Sequence, residues 1–135
     1  MAVGAFVQPI AIRFRDIDAL NHVNHAVVLT YAETIRCDWF QATFGIPSMA
    51  DLPFILASAH VDYKAPIAKS DEVEIAMWTS RIGTKSWTFK YSIRGRGGGD
   101  VLAEVETVQV AYDYAKGASV PVSPALRARL ESISA

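Results

Sequence analysis

The sequence predicts an α+β domain in which an antiparallel sheet curves around a single large helix. Three observations carry this. Residues 25–45 repeat apolar side chains at helical spacing over most of a helix circumference. The other apolar segments alternate with a period of two, the mark of a strand. Short glycine-containing turns join the later strands directly, which makes neighbours antiparallel and leaves the helix segregated on one face.

In chain order, residues 1–6 are a loose start. Residues 8–15 alternate, with Ile10, Ile12 and Phe14 on one face and Ala11, Arg13 and Arg15 on the other, so a strand is expected there. Residues 16–24 are polar. Asn24 is suited to cap the helix by accepting an orphan N–H of its first turn. Within the helix, Val28, Tyr31, Ala32, Ile35 and Trp39 line one face, and Leu29, Phe40 and Phe44 widen it. Thr30, Glu33, Thr34, Asp38 and Gln41 form a narrower polar band. A helix this apolar must be largely enclosed. Gly45 followed by Pro47 is a stop signal. Residues 48–53 connect to four strand-like segments, 54–64, 71–82, 87–94 and 101–112. The clearest sets Trp87, Phe89, Tyr91 and Ile93 against Thr88, Lys90, Ser92 and Arg94. Turns at 83–86 and 95–100 separate the last three as hairpins. Ser123 before Pro124 is an N-cap with proline at the first helical position, opening a short terminal helix through Leu126 and Leu130.

The chain has 135 residues, which suits one domain spanning 1–135, with no internal repeat or linker. Its residues are 51% apolar and its mean hydropathy is +0.19, high for so small a domain, so part of the apolar surface is expected in a subunit interface. A net charge of −1 offers no basic footprint for nucleic acid and no polybasic attraction to lipid. The single cysteine, Cys37, cannot form an internal disulfide, which points to a reducing compartment. The N-terminus lacks a basic segment followed by an apolar one, and no apolar run approaches the ~20 residues of a membrane span. A soluble, cytoplasmic chain is expected.

The stretch Arg15-Asp16-Ile17-Asp18-Ala19-Leu20-Asn21-His22-Val23-Asn24-His25 organises the rest. It holds two aspartates and two of the three histidines between a strand and the helix. That placement can set a carboxylate beside free N–H donors at a helix start. Asp18 reads either as a reactive carboxylate or as a turn residue. Asp16 reads as a turn carboxylate paired with Arg13 or Arg15. His22 reads chiefly as a hydrogen-bonding member of the turn. No carboxylate or cysteine at helical spacing completes a zinc set around His22 and His25, so no metal is expected. Cys37 reads as a small buried hydrophobe. Gly83-Thr84-Lys85-Ser86 lacks the upstream glycine and following helix of a phosphate loop and is a hairpin turn.

The segment Asp18 to His25, followed by Tyr31, Glu33 and Arg36, resembles the acyl-CoA thioesterases of the hotdog fold, in the 4-hydroxybenzoyl-CoA thioesterase group with its YbgC-like branch. The resemblance continues through Tyr63-Lys64-Ala65-Pro66, Ser70-Asp71-Glu72-Val73 and the hairpin at 82–86, and covers nearly the whole chain. It departs from the pattern at Phe14 and Val28, where a tyrosine is usual, and at Asn21, where a glycine is common. Asn tolerates the left-handed conformation that such a turn needs.

The resemblance implies a curved antiparallel sheet of five to six strands wrapped around the helix. It also implies a homodimer or homotetramer with active sites at the subunit interface. Its substrate would be an acyl-CoA, with coenzyme A as part of the substrate and no other cofactor. Asp18 would be the catalytic carboxylate, as nucleophile or general base. The backbone N–H of His25 would hold the oxyanion, with the His25 side chain assisting. Asn24, Lys85 and Ser86 would contact substrate or coenzyme A, and Glu33 and His22 are further candidates. Two alternatives stand beside this: a non-catalytic acyl-binding module on the same fold, and a thioesterase acting on an acyl-carrier protein. A hotdog hydratase is disfavoured, because the Asn-Pro and the five-residue Asp–His spacing of that pattern are absent.

Overall fold

The computed structural model of the protein describes residues 4–46 and 52–134. Among these, the elements run β1 (Phe6–Ile10), α1 (His25–Phe44), β2 (Phe54–Tyr63), β3 (Val73–Ile82), β4 (Ser86–Gly95), β5 (Val101–Asp113), β6 (Ala118–Ser119) and α2 (Pro124–Ser132). The strands form one antiparallel sheet in the order β1-β3-β4-β5-β2, with the short β6 paired to the end of β5. The long helix α1 lies across one face, which is the expected hotdog arrangement.

The core sits between α1 and the middle of the sheet. Trp87, Phe89, Tyr91 and Ile93 of β4 are fully enclosed, and of the opposite set only Lys90 is exposed, Thr88, Ser92 and Arg94 being buried as well. Trp39 meets Phe89 edge-on at 5.7 Å between ring centroids, and Phe40 lies 6.2 Å from Trp87. Burying an aromatic or aliphatic side chain of this size contributes roughly 1.5–3 kcal/mol. Bulges in β2 (between Leu56 and Ser58) and β3 (between Thr79 and Arg81) bend the sheet. The C-terminal segment docks at the second bulge, where the Thr79 N–H donates to the Ile133 carbonyl. Ser123 caps α2 by accepting the Leu126 N–H at 3.1 Å.

Helix α1 ends as expected at Gly45, which adopts the left-handed conformation (φ 63°) and donates its N–H to the Gln41 carbonyl. Pro47 and most of the 48–53 connector lie outside the described residues. The first strand differs from expectation. It begins at Phe6 and stops at Ile10, because Ile10 already pairs with Val73, the first residue of β3, and no strand continues beyond. The alternation through Ile12 and Phe14 therefore does not mark a strand. Phe14 opens a 3-10 turn, Phe14–Asp16, and is 84% exposed.

The helix is also less enclosed than its pattern suggests. Val28, Tyr31, Ala32, Ile35, Trp39 and Phe40 are buried, but Leu29 and Phe44 are each 40% exposed. Strand β2 pairs only with β5 and leaves its other edge without a ladder among the described residues; Ile55, Leu56 and Tyr63 are exposed along it. No described helix is long and apolar enough to cross a membrane.

Candidate active site

The polar stretch before α1 is folded by its own two carboxylates, which do opposite things. Asp16 is 1% exposed. It accepts the Arg13 N–H at 2.9 Å, the Tyr31 hydroxyl at 2.8 Å and the Arg13 guanidinium at 3.2 Å. Burial pushes its carboxyl up, but the Arg13 backbone N–H, the Tyr31 hydroxyl and the guanidinium together hold it below the ordinary aspartate value. Burial, with the Asp16 charge beside it, pushes the Tyr31 phenol up and keeps it protonated. The Asp16 carbonyl accepts the Asn24 N–H at 2.8 Å, which ties the far end of the loop to its start. Asp16 is thus a turn carboxylate, and of the two arginines considered, Arg13 is its partner.

Asp18, two residues on, is exposed. Its Oδ1 accepts the N–H groups of Leu20 (2.9 Å) and His22 (3.4 Å), and Oδ2 has no protein partner among the described residues. The Asp18 N–H donates to the His22 carbonyl at 2.8 Å, closing a tight turn. Asn21 makes that turn with φ 63°, the one non-glycine residue at positive φ among those described. The carboxylate faces a cavity of about 360 Å³ that it shares with His22, His25, Val28, Tyr63 and Ile67. The opposite wall is fixed by the link from β2 to β3, whose Ile67 carbonyl accepts the Val23 N–H at 2.8 Å.

The start of α1 offers one free donor into this region. The Asn24 N–H goes to Asp16, the Val27 N–H to the Asn24 carbonyl, and the Ala26 N–H to Asn24 Oδ1 at 2.9 Å. Of the N–H groups of residues 24–27, that of His25 alone carries no hydrogen bond among the described residues. A free N–H at the positive end of a 20-residue helix is a ready site for negative charge.

The remaining candidates are placed as follows. Asn24 is the helix cap that the sequence indicates. The His22 ring makes no hydrogen bond among the described residues; it is the main chain of His22 that holds the turn. Glu33 is exposed two turns into α1 and borders a different cavity, of about 160 Å³, together with Arg36. No ion pair joins Glu33 to Arg36 among the described residues. Lys85 and Ser86 are not brought to Asp18. They sit in the β3–β4 hairpin beside α2, at the other end of β3, a strand of roughly 30 Å by its rise. Cys37 is buried, and burial pushes its thiol up. No group of three or more His, Cys, Asp or Glu residues that could hold a metal occurs among the described residues.

A larger apolar cavity of about 650 Å³ lies at the far end of α1, beside Phe44, Leu52, Tyr112 and Leu126. It contains no residue of the Asp18 turn, whose candidate groups line the smaller cavity. Sequence reasoning gave no role to Tyr63. Its hydroxyl donates to the His25 carbonyl at 2.6 Å, and its ring meets the His25 ring edge-on, 6.5 Å between centroids.

Comparison with known proteins places these features in a family context. A sequence model described as the thioesterase-like superfamily matches residues 12–130. The chain is 24% identical over 126 residues to the long-chain acyl-CoA thioesterase FadM of Escherichia coli (strain K12), covering 92% of this chain and 96% of FadM. It is 25% identical over 87 residues to YsmA of Bacillus subtilis (strain 168), covering 64% of this chain and 59% of YsmA, so the likeness there spans under two thirds of the relative. The crystal structure of a thioesterase complexed with coenzyme A and Zn from Thermus thermophilus superposes with a TM-score of 0.83 at 30% identity, covering 96% of this chain and 93% of that one.

Proposed function

This chain belongs to the thioesterase-like superfamily, and from that premise we propose that it hydrolyses an acyl-CoA to the free acid and coenzyme A, with Asp18 as the catalytic carboxylate. It is a thioester hydrolase; the acyl-CoA substrate and the residue roles are our reading. The single observation that carries them is the shared cavity of Asp18 and His25, in which a carboxylate oxygen and a backbone N–H are both without protein partners among the described residues. The names of FadM and of the coenzyme A-bound Thermus enzyme support coenzyme A as the thiol portion.

In this reading the thioester carbonyl oxygen accepts the His25 N–H. A preorganised donor of this kind typically lowers the barrier by roughly 3–4 kcal/mol. The positive end of α1 adds to the stabilisation of the developing oxyanion. Asp18 Oδ2 then attacks the carbonyl carbon, expelling the thiolate and giving an anhydride that water hydrolyses to the free acid and Asp18, or it takes a proton from a water that attacks the carbonyl and expels the thiolate. In this reading the His25 ring assists the departing thiolate, His22 lines the cavity, and Asn24 holds the helix start as its cap.

Leu29 of α1 and Ile55 and Leu56 of β2, whose outer edge carries no ladder among the described residues, are exposed. A second copy docked there would cover them, so the active form is a homodimer, or a tetramer of paired dimers. Lys85 and Ser86 then serve coenzyme A at the site of another subunit, and Glu33 acts at that interface. The lone cysteine fits a cytoplasmic location.

The test is thiol release from short, long and aromatic acyl-CoAs and from an acyl-carrier-protein thioester, with wild type and Asp18→Asn side by side. Loss of roughly two to four orders of magnitude in kcat for the variant is expected. Undiminished turnover by Asp18→Asn would move the chemistry elsewhere, and inactivity of wild type on every thioester would favour the acyl-binding module.

A further inference from the structure

Tyr63 reaches the site from the last residue of β2 and touches the backbone of the helix start. Its hydroxyl donates to the His25 carbonyl at 2.6 Å. The same peptide unit, from the His25 carbonyl to the Ala26 N–H, is held at its other end by Asn24 Oδ1, which accepts that N–H at 2.9 Å. One peptide plane is therefore gripped at both poles by side chains from two elements that are far apart in sequence. Gripping it fixes the rotation about His25 Cα. That rotation contributes to the direction of the preceding N–H, the one left free in the first turn, and of the Cα–Cβ bond that carries the imidazole, whose ring lies edge-on to the Tyr63 ring.

A helix start without such restraint frays, because its first residues lack i→i−4 partners. The energetic case for a purely structural role of Tyr63 is weak. It is 52% exposed and at the end of an edge strand, where a hydrogen bond to an already helical carbonyl adds little to global stability. Its leverage is on geometry, where an oxyanion donor must point at the place the charge will develop.

We propose that Tyr63 is a positioning residue for hydrolysis, acting through the His25–Ala26 peptide to aim the His25 N–H and ring at the thioester. The inference rests on the reading of Asp18 and His25 as the reactive pair. It predicts that Tyr63→Phe, which keeps the ring, lowers kcat by roughly three- to tenfold while KM stays within about twofold and the thermal midpoint is unchanged. Asn24→Ala loosens the other pole of the same peptide. The double variant should then lose less than the product of the two single losses, since either change alone frees the plane. The activity-independent measurement is amide hydrogen exchange by NMR: the Ala26 N–H should exchange faster in Tyr63→Phe, with exchange in β4 unaltered.

Lower kcat with steady KM and faster Ala26 exchange is the expected result. Unchanged kcat would overturn the proposal. So would a raised KM with kcat intact, which would make the hydroxyl a substrate contact. If wild type hydrolyses no thioester, the functional reading fails by itself, and unchanged Ala26 exchange in the variant would then sink the clamp as well.

Discussion

Replacing Asp16 by asparagine separates the work of two carboxylates that lie two residues apart. Asp16 is buried and receives a backbone N–H, a phenol and a guanidinium. Hydrogen bonds to a charged group contribute about 1.5–3 kcal/mol each, and the Arg13 pair is worth less than that range because its side chain is 49% exposed. An asparagine keeps one acceptor and turns a donor toward groups that themselves donate. At least one buried bond is lost with the charge, a cost of about 2–3 kcal/mol. For a domain of this size that lowers the thermal midpoint by roughly 10 °C. Turnover per folded molecule should be almost unaffected, the reverse of Asp18→Asn. The pH dependence has a definite sign. The folded carboxyl of Asp16 sits below its unfolded value, so its stabilisation is complete above that value, near about 4, and drains as pH falls through the lower folded one. Wild type and Asp16→Asn should differ most at neutral pH and converge in strong acid. Urea and thermal unfolding across pH, alongside thiol release, make the measurement. An Asp16→Asn protein with wild-type stability and abolished turnover would refute the division of labour and make Asp16 the reactive group.

Two further outcomes follow from single residues. Asn21 holds φ 63° in the Asp18 turn; Asn21→Gly should leave the thermal midpoint almost in place, whereas Asn21→Val should cost about 1–2 kcal/mol, and equal midpoints for the two would contradict the left-handed turn. The Cys37 thiol, pushed up by burial, should react with a disulfide reagent far more slowly in the native protein than in denaturant; equal rates would show that its segment of α1 is open.

Much of the architecture was legible because local chemistry set it. Asn24 and Gly45 bound α1 as capping rules require, Ser123 and Pro124 open α2, and the alternation of β4 named its apolar core side chains but not the burial of Thr88, Ser92 and Arg94. The misreading of β1 has a physical source. The pattern through Ile10, Ile12 and Phe14 is strand-like, but a strand needs a partner, and the ladder ends where β3 begins. Leu29 looked like core because its neighbours are; only the third dimension shows that the described residues leave it 40% exposed. Within the site, the Asp18 turn is contiguous in sequence and could be read from it. The Tyr63 contact joins residues 38 apart and had no local signal. Lys85 and Ser86 were assigned by likeness, and strand direction, which the motif does not encode, carries them to the far end of the molecule.

The strand order has a kinetic consequence. Strands β1 and β2 flank α1 in sequence yet occupy opposite edges of the sheet, while β3, β4 and β5 follow one another through hairpins. Closing short hairpins costs little entropy, so the middle of the sheet can form early, and the edges must wait for long-range closure around the helix. Every part of the Asp18 cavity comes from that late portion: the loop before α1, the helix start, the end of β2 and the link to β3. Parts that dock last also open at least cost. On the proposed reading, the reacting groups lie on the elements that close last, and turnover is expected to fail before the three central strands unfold.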